Sequence, residues 1–324
     1  MEYRQVGDSV LTVSAMGLGC NNFGRRLDEG GTAAVVHAAL DEGITFFDTA
    51  ALYGDGLSES HLGSALGPRR DEAVIATKFG AAGGPGRATG SRSNIVRECE
   101  DSLRRLGTDR IDLYYQHYPD EHTPLEETLS ALDRLVHQGK VRFIANSNVN
   151  GRQIADADRL AERNGTAPFI ASQFEWNLLK RDAETEIVPA CRRSGLGMVP
   201  FFPLASGLLT GKYAAGEPFP AGSRLAESDY FAKDATEENL ATVERLRAIA
   251  DRYGLSLLRL AVGWLLAQDG VPSVIAGATS PRQVRDGAAA SAQALPDEVV
   301  DAVTEATGTG TTDSGTTASG TAQP

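Results

Sequence analysis

Asp48, Tyr53, Lys78 and His117 are residues whose types and spacing could do chemistry together. Asp48 ends the apolar run Gly43-Ile-Thr-Phe-Phe, and Tyr53-Gly54 follows after Thr49-Ala-Ala-Leu. Lys78 ends Val74-Ile-Ala-Thr, and His117 follows Ile111-Asp-Leu-Tyr-Tyr-Gln116. A phenol with an ordinary pKa of about 10 is a poor proton donor at neutral pH unless a nearby cation stabilises its phenolate. Lys78 would supply that cation, Asp48 would pair with it, and His117 could donate a hydrogen bond that orients a substrate carbonyl. Polarising and protonating a carbonyl oxygen is what hydride addition to its carbon requires. Singly, each residue has a plainer reading: a turn cap for Asp48, a rim residue for Tyr53, a snorkelling cation for Lys78, a core histidine for His117. Their placement at successive strand ends favours the joint reading.

The elements that must position these residues follow a repeating pattern. Residues 3 to 13 alternate around Gly7-Asp8-Ser9 and predict an N-terminal hairpin that caps the fold. Apolar strands are expected at 15–19, 44–48, 74–78, 111–116, 141–145, 169–173, 197–202 and 273–276. Segments of helical spacing separate them: 33–40, 58–66, 92–106, 125–138, 151–163, 183–194, 236–253 and 256–268, with 281–291 closing the series. Eight strand-helix units with no antiparallel break predict an α/β fold of the (β/α)8 TIM-barrel type with the hairpin as its cap. An open doubly wound sheet fits less well, because Gly17-Leu-Gly19-Cys-Asn-Asn22 lacks the third glycine of a dinucleotide fingerprint. In a parallel barrel, ligands bind at the carboxyl ends of the strands, where the four residues fall. Residues 203–235 read as a loop long enough to be functional. The expected division is one barrel over 1–305 and a disordered Thr/Gly/Ser-rich tail over 306–324, which has no apolar face to bury.

Composition excludes other classes. Of 324 residues, 41% are hydrophobic and 23% charged, ordinary for a globular chain with a large core. The net charge of -12 argues against a nucleic-acid surface, and no apolar run reaches the ~20 residues of a membrane span, so the expectation is a cytoplasmic protein with neither partner. Cys20, Cys99 and Cys191 are widely separated and form no CxxC pair, so neither a disulfide framework nor a metal site is expected. Lysine appears only at 78, 140, 180, 212 and 233, among 31 basic residues. A lysine kept inside an apolar run therefore stands out.

With these residues in view, the chain resembles the aldo-keto reductase superfamily, in particular the branch of bacterial reductases and potassium-channel β subunits. The motifs are Asp48-Thr-Ala-x-x-Tyr53-Gly54, Thr77-Lys78 and Gln116-His117-x-Pro-Asp120, and the resemblance covers roughly residues 1 to 295. It implies NADPH-dependent reduction of an aldehyde or ketone to an alcohol. Tyr53 would be the general acid, Asp48 and Lys78 would tune it, and His117 would position the substrate. It further implies that Ser147 and Asn148 hold the nicotinamide carboxamide, that Gln173 assists, and that Phe201 lies against the ring. Pro203, Leu204, Ser206, Leu208, Lys212, Ser223 and Arg224 would clasp the phosphates, and Gly277, Thr279 and Gln283 would complete the adenosine side. Gly287 stands where the family usually carries asparagine, and Phe201 where the channel subunits carry tryptophan. Phe23 and Trp176, with Tyr53 and His117, are expected to line an apolar, aromatic substrate pocket.

Rival readings fit less of the chain. Gly207-Leu-Leu-Thr-Gly211-Lys212 is one residue short of a P-loop and lacks its metal-binding hydroxyl. A glycosidase built on Asp48, Asp120 and Glu175 leaves Tyr53, Lys78 and His117 unexplained. The alternative from another class is a nicotinamide-binding regulatory subunit with slow turnover. The resemblance separates it by His117, since the channel subunits carry Asn at the matching place.

Overall fold

A computed structural model of the chain describes residues 1–80, 89–213 and 217–308. Two short antiparallel strands, β1 (Tyr3–Gln5) and β2 (Thr12–Ser14), precede β3 (Met16–Gly19). The chain continues through α1 (Glu29–Asp41), β4 (Phe46–Asp48), α2 (Leu57–Leu66), β5 (Val74–Phe79), α3 (Arg92–Leu106), β6 (Ile111–Gln116), α4 (Leu125–His137) and β7 (Val141–Ser147). There follow α5 (Gly151–Asn164), β8 (Phe169–Glu175), α6 (Ile187–Arg193), β9 (Gly197–Phe201), α7 (Arg224–Glu227), α8 (Asp229–Ala232), α9 (Glu237–Tyr253), α10 (Leu257–Leu266), β10 (Val274–Gly277), α11 (Pro281–Ser291) and α12 (Asp297–Thr307).

The large sheet runs β10-β3-β4-β5-β6-β7-β8-β9, every pairing is parallel, and β9 lies against β10. This is the (β/α)8 barrel expected from the sequence, with the hairpin across its amino end. Val6, Leu11 and Val13 of the hairpin join Phe46, Leu113, Tyr115, Val199 and Ile275 in the barrel interior. Gly7 makes that fit possible: at φ +53, a Cβ there would stand 2.4 Å from Gly195 O. The larger core lies between strands and helices. Strand alternation sorts the two layers, so that in β6 Leu113 and Tyr115 face the interior while Tyr114 faces the helices.

Three segments differ from expectation. The helix expected at 183–194 is a 3-10 turn at Asp182–Glu184 followed by the short α6. The loop expected at 203–235 contains a 3-10 turn at Ala205–Thr210 and the four-residue α7 and α8. Finally, α12 follows the series that was expected to close at 291. It buries Val299 and Val303, and Arg181 Nη1 and Trp264 Nε1 bind Thr304, so ordered chain runs past the boundary expected at 306. Residues 309–324, most of the expected tail, lie outside the described residues. No described helix is long and apolar enough to cross a membrane.

Candidate active site

The strand period places the polar residues at the carboxyl end of the barrel. Phe46, Ala76, Tyr115, Ala145 and Ala171 all face the interior. Two residues further along, and so on the same face, stand Asp48, Lys78, His117, Ser147 and Gln173. All five are buried. Apolar layers below and polar groups above thus come from one alternation continued to the ends of the strands.

The Lys78 ammonium donates to Asp48 Oδ1 at 2.6 Å and to Thr49 O at 2.8 Å. It lies 5.2 Å from the centre of the Tyr53 ring and 5.7 Å from that of Tyr115. Burial works against its charge, but the Asp48 carboxylate favours it through charge and a hydrogen bond, and the pKa lies above the ordinary lysine value. Lys78 is therefore a fixed cation. Burial likewise dominates at Tyr53 and raises its pKa, with Lys78 opposing the rise. The expectation that Lys78 makes Tyr53 more acidic holds for the direction of its effect and not for the net value, so the phenol keeps its proton at neutral pH. His117 is pushed down to about 3 by burial and then by Lys78. It is a neutral imidazole, stacked 4.7 Å from Tyr118 and edge-on to Tyr53 at 6.1 Å. Its Nδ1 is buried with no hydrogen-bond partner among the described residues, so no acceptor holds a proton there. The tautomer with its proton on Nε2 would make His117 a donor to a group in the cavity it lines.

Tyr53 sits in a turn that the flanking helix bolts to the strands. Ser58 Oγ donates to Cys20 O and meets Thr49 Oγ1, each at 2.8 Å. The fully buried Glu59 accepts from Thr77 Oγ1 at 2.5 Å and from Arg105 Nε at 2.6 Å. Thr77 adjoins Lys78, so this carboxylate ties the segment bearing the acid to the strand bearing the cation. Gly56, at φ +90, lets the Arg105 stem pass, since a Cβ would come within 2.8 Å of Arg105 Cδ. These supports were missed in the sequence reading. The available signal was an acid flanked by serines one turn after Tyr53.

A cavity of about 870 Å³ runs from Asp48, Tyr53 and His117 past Ser147, Asn148 and Gln173 to Lys212, Arg224 and Arg282. Phe201, Pro203, Leu204, Ser206, Gly277, Thr279 and Gln283 also line it. Ser147 Oγ donates to Gln173 O at 2.9 Å, and Asn148 Nδ2 to His117 O at 2.9 Å. At the far end Arg224 lies 5.0 Å from the Phe231 ring centre and donates to Asn22 Oδ1 at 3.4 Å. Burial, then the neighbouring Arg26, lowers its pKa from the ordinary arginine value. Among the described residues no carboxylate pairs with Arg224, whereas Arg26 binds Glu227 and Gly222 O. A cavity lined by a partly buried guanidinium that has no carboxylate partner among the described residues fits an anionic group such as a nucleotide phosphate.

Five expected site residues do not line the cavity: Lys78 is fully buried on Asp48 and Thr49 O, and four others serve the fold. Phe23, in the loop after β3, is fully buried in the strand-helix core. Trp176 packs between Phe174 and Trp264, with its indole N–H on Glu184. Leu208 is fully buried in the strand-helix core, and Ser223 caps α7 through Ala226 N. In each case the side chain is used by the fold. Leu52, Tyr118 and Phe202 line the cavity instead, and Leu52 and Tyr118 are exposed at its mouth. Among the described residues no group of three or more His, Cys, Asp or Glu is placed to hold a metal ion.

Comparison with known proteins agrees with this architecture. The profile of the Aldo/keto reductase family matches residues 15–307. A rice protein (Oryza sativa subsp. japonica) named "Probable voltage-gated potassium channel subunit beta" is 38% identical over 293 residues, covering 88% of this chain and 89% of the relative. "Probable aldo-keto reductase 1" of Glycine max is 36% identical over 316 residues, 94% of this chain and 89% of the relative. An uncharacterised oxidoreductase of Bacillus subtilis (strain 168) is 37% identical over 299 residues, 88% and 90% of the two chains.

Proposed function

The chain belongs to the aldo/keto reductase family, and on that premise we propose that it is an NADPH-dependent reductase of aldehydes or ketones with Tyr53 as the proton donor. The observation that carries this reading is the meeting of a protonated phenol and a neutral imidazole at one end of the cavity, with a fixed ammonium buried beside the phenol ring. Bound NADPH would supply the hydride that reaches the carbonyl carbon. Ser147, Asn148 and Gln173 line the part of the groove nearest the acid and would hold the nicotinamide, while Lys212 and Arg224 would hold the 2'-phosphate.

The protein's own part is to place and protonate the oxygen. His117 directs Nε2–H at the substrate oxygen, and being neutral it does so without putting a second cation beside Lys78. Tyr53 hands its proton to the developing alkoxide, and the phenolate left behind is stabilised by Lys78, which Asp48 and Thr49 O hold in place. A donor that is fully protonated at rest and stabilised once it has given its proton meets both needs of general acid catalysis. Leu52, Tyr118 and Phe202 favour a carbonyl with an apolar or aromatic substituent.

Purified protein is expected to oxidise NADPH steadily with 4-nitrobenzaldehyde and to bind NADPH more tightly than NADH. The absence of turnover across a panel of aldehydes and ketones would overturn the reading. Similarity to the rice relative supports a second one, a nicotinamide-binding regulatory subunit with slow turnover. That reading predicts a single round of NADPH oxidation followed by a near-stop.

A further inference from the structure

Lys78 occupies only one oxygen of Asp48. The other, Oδ2, accepts from Gln173 Nε2 at 2.8 Å, so the end of β8 is joined to the end of β4 across the barrel mouth. Asp48 and Gln173 are 4% and 3% exposed, which leaves little water to compete. An ionised carboxylate only accepts hydrogen bonds, so the Gln173 amide is oriented without ambiguity: its NH2 turns to Asp48 and its Oε1 turns away. Among the described residues nothing donates to Oε1, and Gln173 lines the cavity. Its backbone is fixed as well, with Gln173 O accepting from Ser147 Oγ at 2.9 Å and from Asn148 N at 3.1 Å.

We infer that Gln173 is a positioning residue for the proton donor: through Nε2 it holds Asp48 against Lys78, and through Oε1 it couples the acid to whatever donates a hydrogen bond from the cavity. The inference rests on the proposed function, in which that donor is the amino group of the nicotinamide carboxamide. Hydrogen bonds in a chain polarise one another. A donor on Oε1 strengthens the bond from Nε2 to Asp48 and draws charge from the carboxylate, leaving more of the Lys78 field for Tyr53. Seating the ring would thus strengthen the acid.

The charges around the pair leave room for this effect. Tyr53 faces Lys78 from β5, Asp48 from β4, and His117 and Tyr118 from the loop after β6. Asp48 faces Lys78, Gln173 from β8, Tyr115 from β6 and Cys20 from the loop after β3. Burial raises both the Tyr115 phenol and the Cys20 thiol well above their ordinary values, so neither is charged at neutral pH. His117 is neutral too.

The test is Gln173→Met, similar in length but without donor or acceptor, beside Gln173→Glu. In ligand-free protein the ultraviolet titration of Tyr53, isolated by subtracting the same protein carrying Tyr53→Phe, is expected to move up by about one pH unit in Gln173→Met, because Asp48 loses its second donor. The alkaline limb of kcat is expected to move in the same direction, with kcat about ten-fold lower. Gln173→Glu places a second carboxylate beside Asp48. While protonated it still donates to Oδ2, so activity is retained toward acid pH and lost as pH rises. Weaker NADP+ binding in Gln173→Met with an unmoved Tyr53 titration and alkaline limb would overturn the inference and leave Gln173 a cofactor ligand only. An earlier unfolding midpoint with nothing else changed would overturn it equally. If the unsubstituted protein neither binds NADP+ nor turns over, the functional reading fails, while the ligand-free titration still decides the role of Gln173.

Discussion

The two ends of the cavity are built by opposite means. At the acid end, Asp48, Lys78, His117 and Gln173 stand at or next to strand ends, are all buried, and fix one another through side-chain or backbone contacts. At the phosphate end, Lys212 and Arg224 come from the segment between β9 and α9, and Arg282 from the first turn of α11 with 86% of its side chain exposed. The difference follows from what each end must do. Charge that develops during a reaction is stabilised best by groups that need not reorganise, and strand ends provide that rigidity. A phosphate is already charged when it arrives, and longer segments can close on it.

The sharpest way to break this contrast is to remove one atom from the rigid end. Tyr53→Phe is expected to lower kcat for carbonyl reduction by about 10² to 10⁴, the usual worth of general acid catalysis. The NADPH dissociation constant should stay within about two-fold, because the groove beyond Asn148 is untouched. Stopped-flow turnover and fluorescence titration measure the two quantities. A mutant that reduces aldehydes at the unsubstituted rate would remove Tyr53 from the mechanism.

Lys78→Met attacks the same end and should also cost stability. Asp48 would be left buried with one oxygen unpaired, and breaking a buried pair from one side typically costs about 3–5 kcal/mol. Urea unfolding should show a loss of that order in a barrel that still folds, together with near-complete loss of activity. Adding Asp48→Asn should recover part of the stability and none of the activity. If the double variant were as unstable as the single one, the pair would not be the source of the loss.

The same contrast explains what could be read from the sequence. The acid end was legible because the information is local: an apolar strand of known period, then a polar residue at its end. Continuing that alternation also sorts Trp176, since Gln173 faces inward and a residue three places on faces outward, where Trp176 packs against Trp264. Phe23 follows no such rule, because a loop residue's direction is set by distant contacts. Leu208 and Ser223 lie in short turns, and four-residue helices such as α7 and α8 have no period to detect. In α12, Val299 and Val303 carried a helical signal after Pro296, but only a turn long and running into polar low-complexity sequence. The bonds from Glu59 to Arg105 and Thr77, and from Gln173 to Asp48, join residues far apart in the chain. Only the closed barrel brings them together.

At the other end of the cavity, Lys212→Ala combined with Arg224→Ala should bring the dissociation constants of NADPH and NADH together, mainly by weakening NADPH. Hydrogen bonds to a charged group are worth about 1.5–3 kcal/mol, so the change should be about ten- to a hundred-fold. Because no carboxylate among the described residues pairs with Arg224, its loss should leave no charged partner stranded, and stability should change little. Fluorescence titration with both nucleotides is the measurement. An unchanged ratio would exclude this segment as the selector and move attention to Arg282, which reaches Asp286 at 3.7 Å on the exposed face of α11.

The smallest effect separates the two ends by pH. His117 has an ordinary value of 6.5 when unfolded and about 3 in the folded protein. Between those values the unfolded chain binds a proton that the folded chain refuses, so this residue favours folding fully above pH 6.5 and progressively less as pH falls toward 3. His117→Asn has no such proton to bind. The difference in unfolding free energy between the unsubstituted protein and His117→Asn should therefore be flat above pH 6.5 and drift against the unsubstituted protein below it, by up to about 1.4 kcal/mol per pH unit. Lys212→Ala with Arg224→Ala leaves His117 in place and should run parallel to the unsubstituted protein. Urea unfolding from about pH 8 to about pH 5 tests both lines. A His117→Asn profile that stays parallel to that of the unsubstituted protein would mean that the folded imidazole titrates near its ordinary value, and burial would then no longer keep it neutral below pH 6.5.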